Sequence, residues 1–228
     1  MDTGNDYRIL VIEDAIKRLS EIFRLKKFKF QFKHYREAHD LLEQSTHVLQ
    51  SVKYCYLEPD AIVNLPEFQE FLQKTQKIEY MIMEEMKAAS YKPDNPKDLL
   101  VIKEVEYVLS IFRDFTRRIQ LIPEAGNAVD TFSVEVTRVD KHPGFDKLYI
   151  CRTTDTKKIW NIVTNIADIK KDAKYPVVHL PPTMFEDVVS EAMFVSDQPI
   201  LDEPGTLLTL TGPILNNVNS QVYVLLKK

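Results

Sequence analysis

"LIPEAGNAVDTFSVEVTRV", residues 121–139, is where the period of the chain changes. Leu121 and Ile122 follow a long stretch whose apolar residues recur every three or four positions, whereas Phe132, Val134 and Val136 alternate. Between them Pro123, Gly126 and Asn127 break a helix, since Pro has no amide proton and Gly and Asn favour turn conformations. A 3.6-residue period buries one stripe of a helix, and a period of two buries one face of a strand. The reading is therefore an α+β chain of two domains: a helical bundle at 1–122, a linker at 123–130 and a β domain at 131–228.

Before the switch, four seams stand out. Ile9, Ile12, Ile16, Leu19 and Phe23 make the first, and Tyr35, Ala38, Leu42, Ser45, Leu49, Val52 and Tyr56 the second. Phe68, Phe71, Thr75, Ile78 and Ile82 make the third. The fourth runs from Val101 through Val105, Val108, Phe112, Phe115 and Ile119 to Ile122. Four faces that must be buried against one another suggest a bundle. Asn64 before Pro66 and Asn95 before Pro96 read as helix caps, which makes "LEPDAIVN" and "SYKPDN" the connecting loops.

After the switch come seven short runs separated by Pro, Gly, Asp and Asn: "TFSVEVTRV", "KLYICRT", "KIWNIVT", "PVVHL", "AMFVS", "TLLTLT" and "QVYVLL". That spacing indicates an all-β barrel or sandwich.

Composition narrows the function. The formal net charge is −4 over 228 residues, so bulk charge does not hold nucleic acid and any such binding rests on local patches. Only five glycines occur, and none are close enough to build a phosphate-cradling loop. Cys55 and Cys151 have no partner at metal or redox spacing, so neither a disulfide framework nor zinc is expected. No apolar run reaches the length of a spanning helix and the polar start lacks the form of a leader, which implies a cytoplasmic protein. His34, His39 and His47 have no HExxH spacing, Glu84 and Glu85 read as a solvated face, and no GxSxG is present. No catalytic residue, cofactor or metal is expected.

"LKKFKFQFKHYR", residues 25–36, alternates Phe28, Phe30 and Phe32 with Lys27, Lys29, Gln31 and Lys33. The rings either stack on nucleic-acid bases beside cations that meet phosphates, or they plug the bundle while the lysines stay in water. Arg113, Arg117 and Arg118 form a second cationic group, suited also to the negative end of a helix.

"VEVTRVDKHPGFDKLYICRT", residues 134–153, resembles the start of the tRNA-binding domain shared by the carboxyl-terminal region of methionyl-tRNA synthetases, stand-alone bacterial tRNA-binding proteins and the endothelial monocyte-activating polypeptide family. His142, Pro143, Asp146, Lys147, Leu148 and Tyr149 match its HPxADKLY segment. "NIVTN" at 161–165 is similar to its IVSG run, with Asn165 in place of Gly. "VVSEAMFVS" at 188–196 is similar to its SxGM segment through Ser190 and Met193, with Ala192 in place of Gly. The resemblance covers about residues 131–197 and implies an OB-type Greek-key barrel that binds the outside of folded tRNA. It points to Lys147, Ser190 and Met193 as RNA contacts, with Asn165 in the family's Gly position beside them, while His142 and Pro143 fix the turn. Apart from the resemblance, Lys157, Lys158, Lys170, Lys171 and Lys174 are supporting cations if the barrel gathers them on one face, and a solvated scatter if it does not.

Two functions follow. The first is a non-catalytic tRNA-binding protein, alone or as an accessory of an aminoacyl-tRNA synthetase, with either the last two apolar runs or the long fourth seam pairing a homodimer. The second is an interaction scaffold whose barrel has lost RNA affinity, which the acidic Glu186 and Asp187 at the rim favour.

Overall fold

The computed structural model describes residues 2–227. Its amino-terminal part is helical: α1 (Tyr7–Arg24), α2 (Tyr35–Lys53), α3 (Pro59–Val63), α4 (Pro66–Ala88), α5 (Pro96–Arg113) and α6 (Phe115–Ile119). The seams of α1, α2 and α4 are buried as their spacing requires, from Ile9 to Phe23, Ala38 to Val52 and Phe68 to Ile82. Asn95 caps α5: its side chain accepts from the Asp98 N–H at 3.0 Å and donates to the Asp98 carboxylate at 2.9 Å.

Four local expectations change. The fourth seam is two helices, because the backbone turns at Asp114 and α6 is a separate short segment. Ile122 lies beyond it, 68% exposed. "LEPDAIVN" contains α3, and Asn64 ends that helix by donating to Asp60 O instead of capping α4. Tyr56 leaves the second seam, since α2 stops at Lys53 and Tyr56 takes a left-handed backbone with φ 53°.

A 3-10 turn at Ala125–Ala128 leads into the sheet. Its strands are β1 (Thr131–Lys141), β2 (Tyr149–Thr154), β3 (Ile159–Thr164), β4 (Lys174–Phe185) and β5 (Val188–Phe194), all antiparallel in the order β3-β2-β1-β4-β5. The two edges meet through side chains. The Val163 N–H donates to Ser190 Oγ at 3.0 Å, and the Asn161 N–H to Glu191 Oε1 at 3.3 Å. An edge of orphan amides is thereby satisfied without backbone pairing. The enclosed core holds Val134, Val136, Cys151, Trp160, Ile162, Tyr175, Val177 and Phe194.

"TLLTLT" lies along the start of β1, with Ser133 N–H donating to Thr206 O and Leu208 N–H to Thr131 O, but only Leu207 forms a bridge, to Phe132. The last run is not a strand. Residues Gly212–Leu226 form α7, started by Pro213 in its first turn. Val218, Val222 and Leu225 fall on one helical face and enter the core of the helical part, Tyr7 packs on Tyr223, and Asn219 Oδ1 accepts the Gly126 N–H at 2.6 Å. The strand pair expected to join two copies is therefore not present, and the end of the chain completes the helical part.

The two parts share a core. Val178 and Leu180 of β4, Met193 of β5 and Val195 just after it pack with α5 and its neighbours. Polar groups frame this joint. Asp130 takes Arg118 Nη2 at 2.7 Å and also Arg117, while Arg118 donates to Ile111 O at 2.9 Å. Glu191, 4% exposed, lies 3.0 Å from Lys103 and 3.7 Å from Lys158. Burial lowers the Lys103 pKa, but Glu106 and Glu191 outweigh it and hold it above its ordinary value.

Candidate nucleic-acid interface

The loop between β1 and β2 is built on His142. Its ring is buried, the Gly144 N–H donates to Nδ1 at 3.1 Å, and Nε2 is left to carry the proton facing Phe185 O at 3.3 Å. The ring also packs on Phe145, 5.0 Å between centroids. His142 thus ties this loop to the β4–β5 turn, as the structural reading of the His-Pro-Gly segment requires. Gly144 allows the close approach: a Cβ there would lie 1.9 Å from the Glu186 carboxylate.

Lys147 projects from this loop, exposed. Asn165, also exposed, follows Thr164, which pairs with Tyr149, which in turn pairs with Lys141. Lys141, Lys147 and Asn165 consequently occupy one end of the sheet. Lys157 and Lys158 sit on the β2–β3 turn at the other end, roughly 17–20 Å away along a strand of this length. Lys157 is exposed, and its N–H is held by Asp155 Oδ1 at 2.9 Å. Lys158 is already engaged. Its ammonium lies 3.5 Å from the centre of the Trp160 ring and 3.4 Å from Glu106, which makes it part of the joint.

Ser190 and Met193 are also placed inside. Ser190 is 6% exposed, accepts from Val163 N–H and donates to Ala192 O at 3.1 Å, so its hydroxyl closes the sheet and has no donor left for a phosphate. Met193 is half-buried against the helical core. Arg113 pairs with Glu79, and Arg117 and Arg118 with Asp130. The three arginines are structural, and more than helix-end charges.

What sequence reasoning missed lies on the outer face of β1–β3. Arg138 and Arg152 stand directly opposite each other, with Asn161 next in the row. Both arginines are exposed; Arg138 also meets Asp140 at 2.6 Å, while Arg152 has no carboxylate partner among the described residues. Like charges across a strand pair repel, a cost that a counter-charge near the row would relieve. Alternation from Val134 and Val136 would turn Arg138 inward. A bulge between Val136 and Arg138 shifts the register and places Val139 in the core instead. The signal for Arg152 was present in "YICRT", where Cys151 and Thr153 face in.

A protein family described as "Alpha helical domain" matches residues 1–121. The chain belongs to that family. The match ends where α6 gives way to the linker, and its description concerns architecture only. No curated protein matches the chain.

Other chemistry is confined. Burial and Asp140 push the Cys151 thiol up to about 11, so it is a core group and not a thiolate near neutral pH. His39, Asp40 and Glu43 bring ligand atoms within 4.8 Å of one another on the outside of α2, where His39 and Glu43 form an ordinary i,i+4 pair at 3.8 Å. No described helix is long and apolar enough to cross a membrane.

The joint carries a titratable group. His179 lies edge-on to Tyr107 and Trp160, with ring centres 5.2 and 5.0 Å away; its ring Nδ1 faces Ser110 Oγ at 3.4 Å, and its backbone N–H donates to Asp130 O. Burial, assisted by Lys158, lowers its pKa from 6.5 to about 3. The unfolded chain takes up a proton near pH 6.5 that the folded chain refuses until about pH 3, so stability is complete above the first value and falls toward the second. Between pH 7 and 4 the expected loss from this group is about 3 kcal/mol, at 1.36 kcal/mol per unit. Urea unfolding of the parent and His179→Gln across that range measures it. The variant should show a shallower acid limb by close to one proton, and equal slopes would reject the assignment.

Proposed function

We propose that the chain is a non-catalytic tRNA-binding protein, acting alone or as an accessory of an aminoacyl-tRNA synthetase. The five strands are read as an OB-type barrel, a reading supported by the strand order β3-β2-β1-β4-β5 with β3 beside β5; the β2–β3 face and adjoining loops of that fold take oligonucleotides. The observation that carries the reading is the opposed Arg138 and Arg152 on that face, continued by Lys141 and Lys147 at the rim. Phosphate contacts would fix RNA by its backbone, with little sequence preference. Lys147 and Asn165 keep their proposed roles as contacts, and Arg152 joins them. Ser190 and Met193 serve by shaping the barrel.

Titration of an unmodified tRNA transcript across 50–200 mM salt tests this. Lys147→Ala and Arg152→Ala are each expected to weaken binding severalfold and to flatten the salt slope by about 1. Both side chains are exposed, so the melting temperature should hold. Absence of binding by the parent at 50 mM salt would leave the scaffold reading, in which the acidic Glu186 and Asp187 meet a basic protein.

A further inference from the structure

Residues 24–36 hold six Lys and Arg residues and no Asp or Glu. Nineteen Lys and Arg residues precede residue 129, so the other 13 stand against 21 acids there. The helical part is therefore acidic apart from one concentrated basic stretch.

The structure decides what that stretch presents. Phe28, Phe30 and Phe32 are all turned inward, 6%, 8% and 4% exposed. They form one aromatic cluster with Phe23, Tyr35 and Tyr91, with neighbouring ring centres about 5–6 Å apart. Glu85 of α4 clasps the far side, accepting the Lys33 N–H at 2.6 Å and bonding the His34 ring. The rings cannot stack on bases. What faces outward is Arg24, Lys26, Lys29, Lys33 and Arg36, all exposed and none within ion-pair distance of a carboxylate among the described residues. Lys27 alone is paired, with Glu21 at 2.9 Å.

We propose that this ridge is a second phosphate-binding surface for the same RNA, held by the helical part and independent of the barrel. The inference rests on the tRNA-binding reading. A loop fixed by six rings and a carboxylate holds its cations in place before the ligand arrives, which reduces the ordering cost of binding. Cations without exposed rings read phosphates and not bases, which matches a sequence-tolerant contact with folded RNA. A bilayer surface is the poorer fit, because the only large apolar side chain exposed in the stretch is Leu25 and interfacial binding draws on buried apolar area.

The test compares Lys26→Gln/Lys29→Gln/Lys33→Gln with Lys147→Ala/Arg152→Ala in the full chain, titrating an unmodified tRNA transcript from 50 to 200 mM salt. The ridge variant should flatten the slope by about 2–3, so that its loss of affinity over this fourfold range of salt is about 16- to 64-fold smaller than the parent's. A ridge variant with the parent's slope overturns the inference even if the barrel variant weakens binding. A flattened ridge variant beside an unchanged barrel variant supports the ridge and overturns the barrel reading. Sedimentation with phosphatidylserine vesicles forms the last arm: vesicle binding lost in the ridge variant while tRNA binding is unchanged also overturns the inference. Matching melting temperatures confirm that the substitutions touch only the surface.

Discussion

Replacing Asp130 with alanine is expected to destabilise the protein by about 3–5 kcal/mol, the range for removing one partner of a buried ion pair. The Arg118 side chain is 2% exposed, and it spends its guanidinium on Asp130, Ile111 O and Ser110 O. Without the carboxylate it becomes a buried charge supported by two carbonyls and by the more distant, half-exposed Asp114 at 3.8 Å. Burial raises the Asp130 pKa, but Arg118 and Arg117 outweigh it, and the net shift is downward. A carboxylate depressed in the folded state contributes stability that is fully present above the unfolded value near 3.8 and is lost as pH falls through the lower folded value. Chemical denaturation at pH 7 measures the first effect. The second appears below pH 4, under the window assigned to His179. Asp130→Ala within 1 kcal/mol of the parent would show that the pair is dispensable.

That ion pair also shows where sequence reasoning reaches its limit. Arg117 and Arg118 read correctly as the end of a helix, but the acid that holds them lies past the linker. Spacing along a chain carries no account of which groups meet once it turns back. The seams of α1, α2 and α4 were legible because each is a long one-sided pattern with a single burial solution. Residues 131–194 were legible as strands for the same reason, with Phe132, Val134 and Val136 facing in until the bulge. At that point one extra residue reverses the inside and outside of everything that follows, and Arg138 moves from apparent core to the candidate interface. Lys147 and Asn165 were singled out through resemblance, and both lie exposed at one end of the sheet. Ser190 was found in the same way, yet it is buried, because only the folded chain brings β3 beside β5 and gives its hydroxyl two partners.

The end of the chain gives the sharpest contrast, since "QVYVLL" satisfies both periods over six residues. As a strand, Val222, Val224 and Leu226 would share one face. As a helix, Val222 sides with Val218 and Leu225, and Val224 turns to solvent. In the structure Val218 and Val222 are fully buried while Val224 is 52% exposed. Val222→Asp is therefore expected to cost about 5 kcal/mol or more: roughly 1.5–3 kcal/mol of lost burial, with several more for a carboxylate placed among apolar groups without a partner. That approaches the whole stability of an ordinary domain, about 5–15 kcal/mol. Val224→Asp, two positions on, should stay within about 0.5 kcal/mol of the parent, as exposed substitutions do. Thermal and urea unfolding of the two variants separate the cases. If both destabilise alike, the run behaves as a strand and α7 does not complete the helical core. If only Val222→Asp unfolds the protein, the carboxyl-terminal helix is needed to finish a core whose family match stops at residue 121.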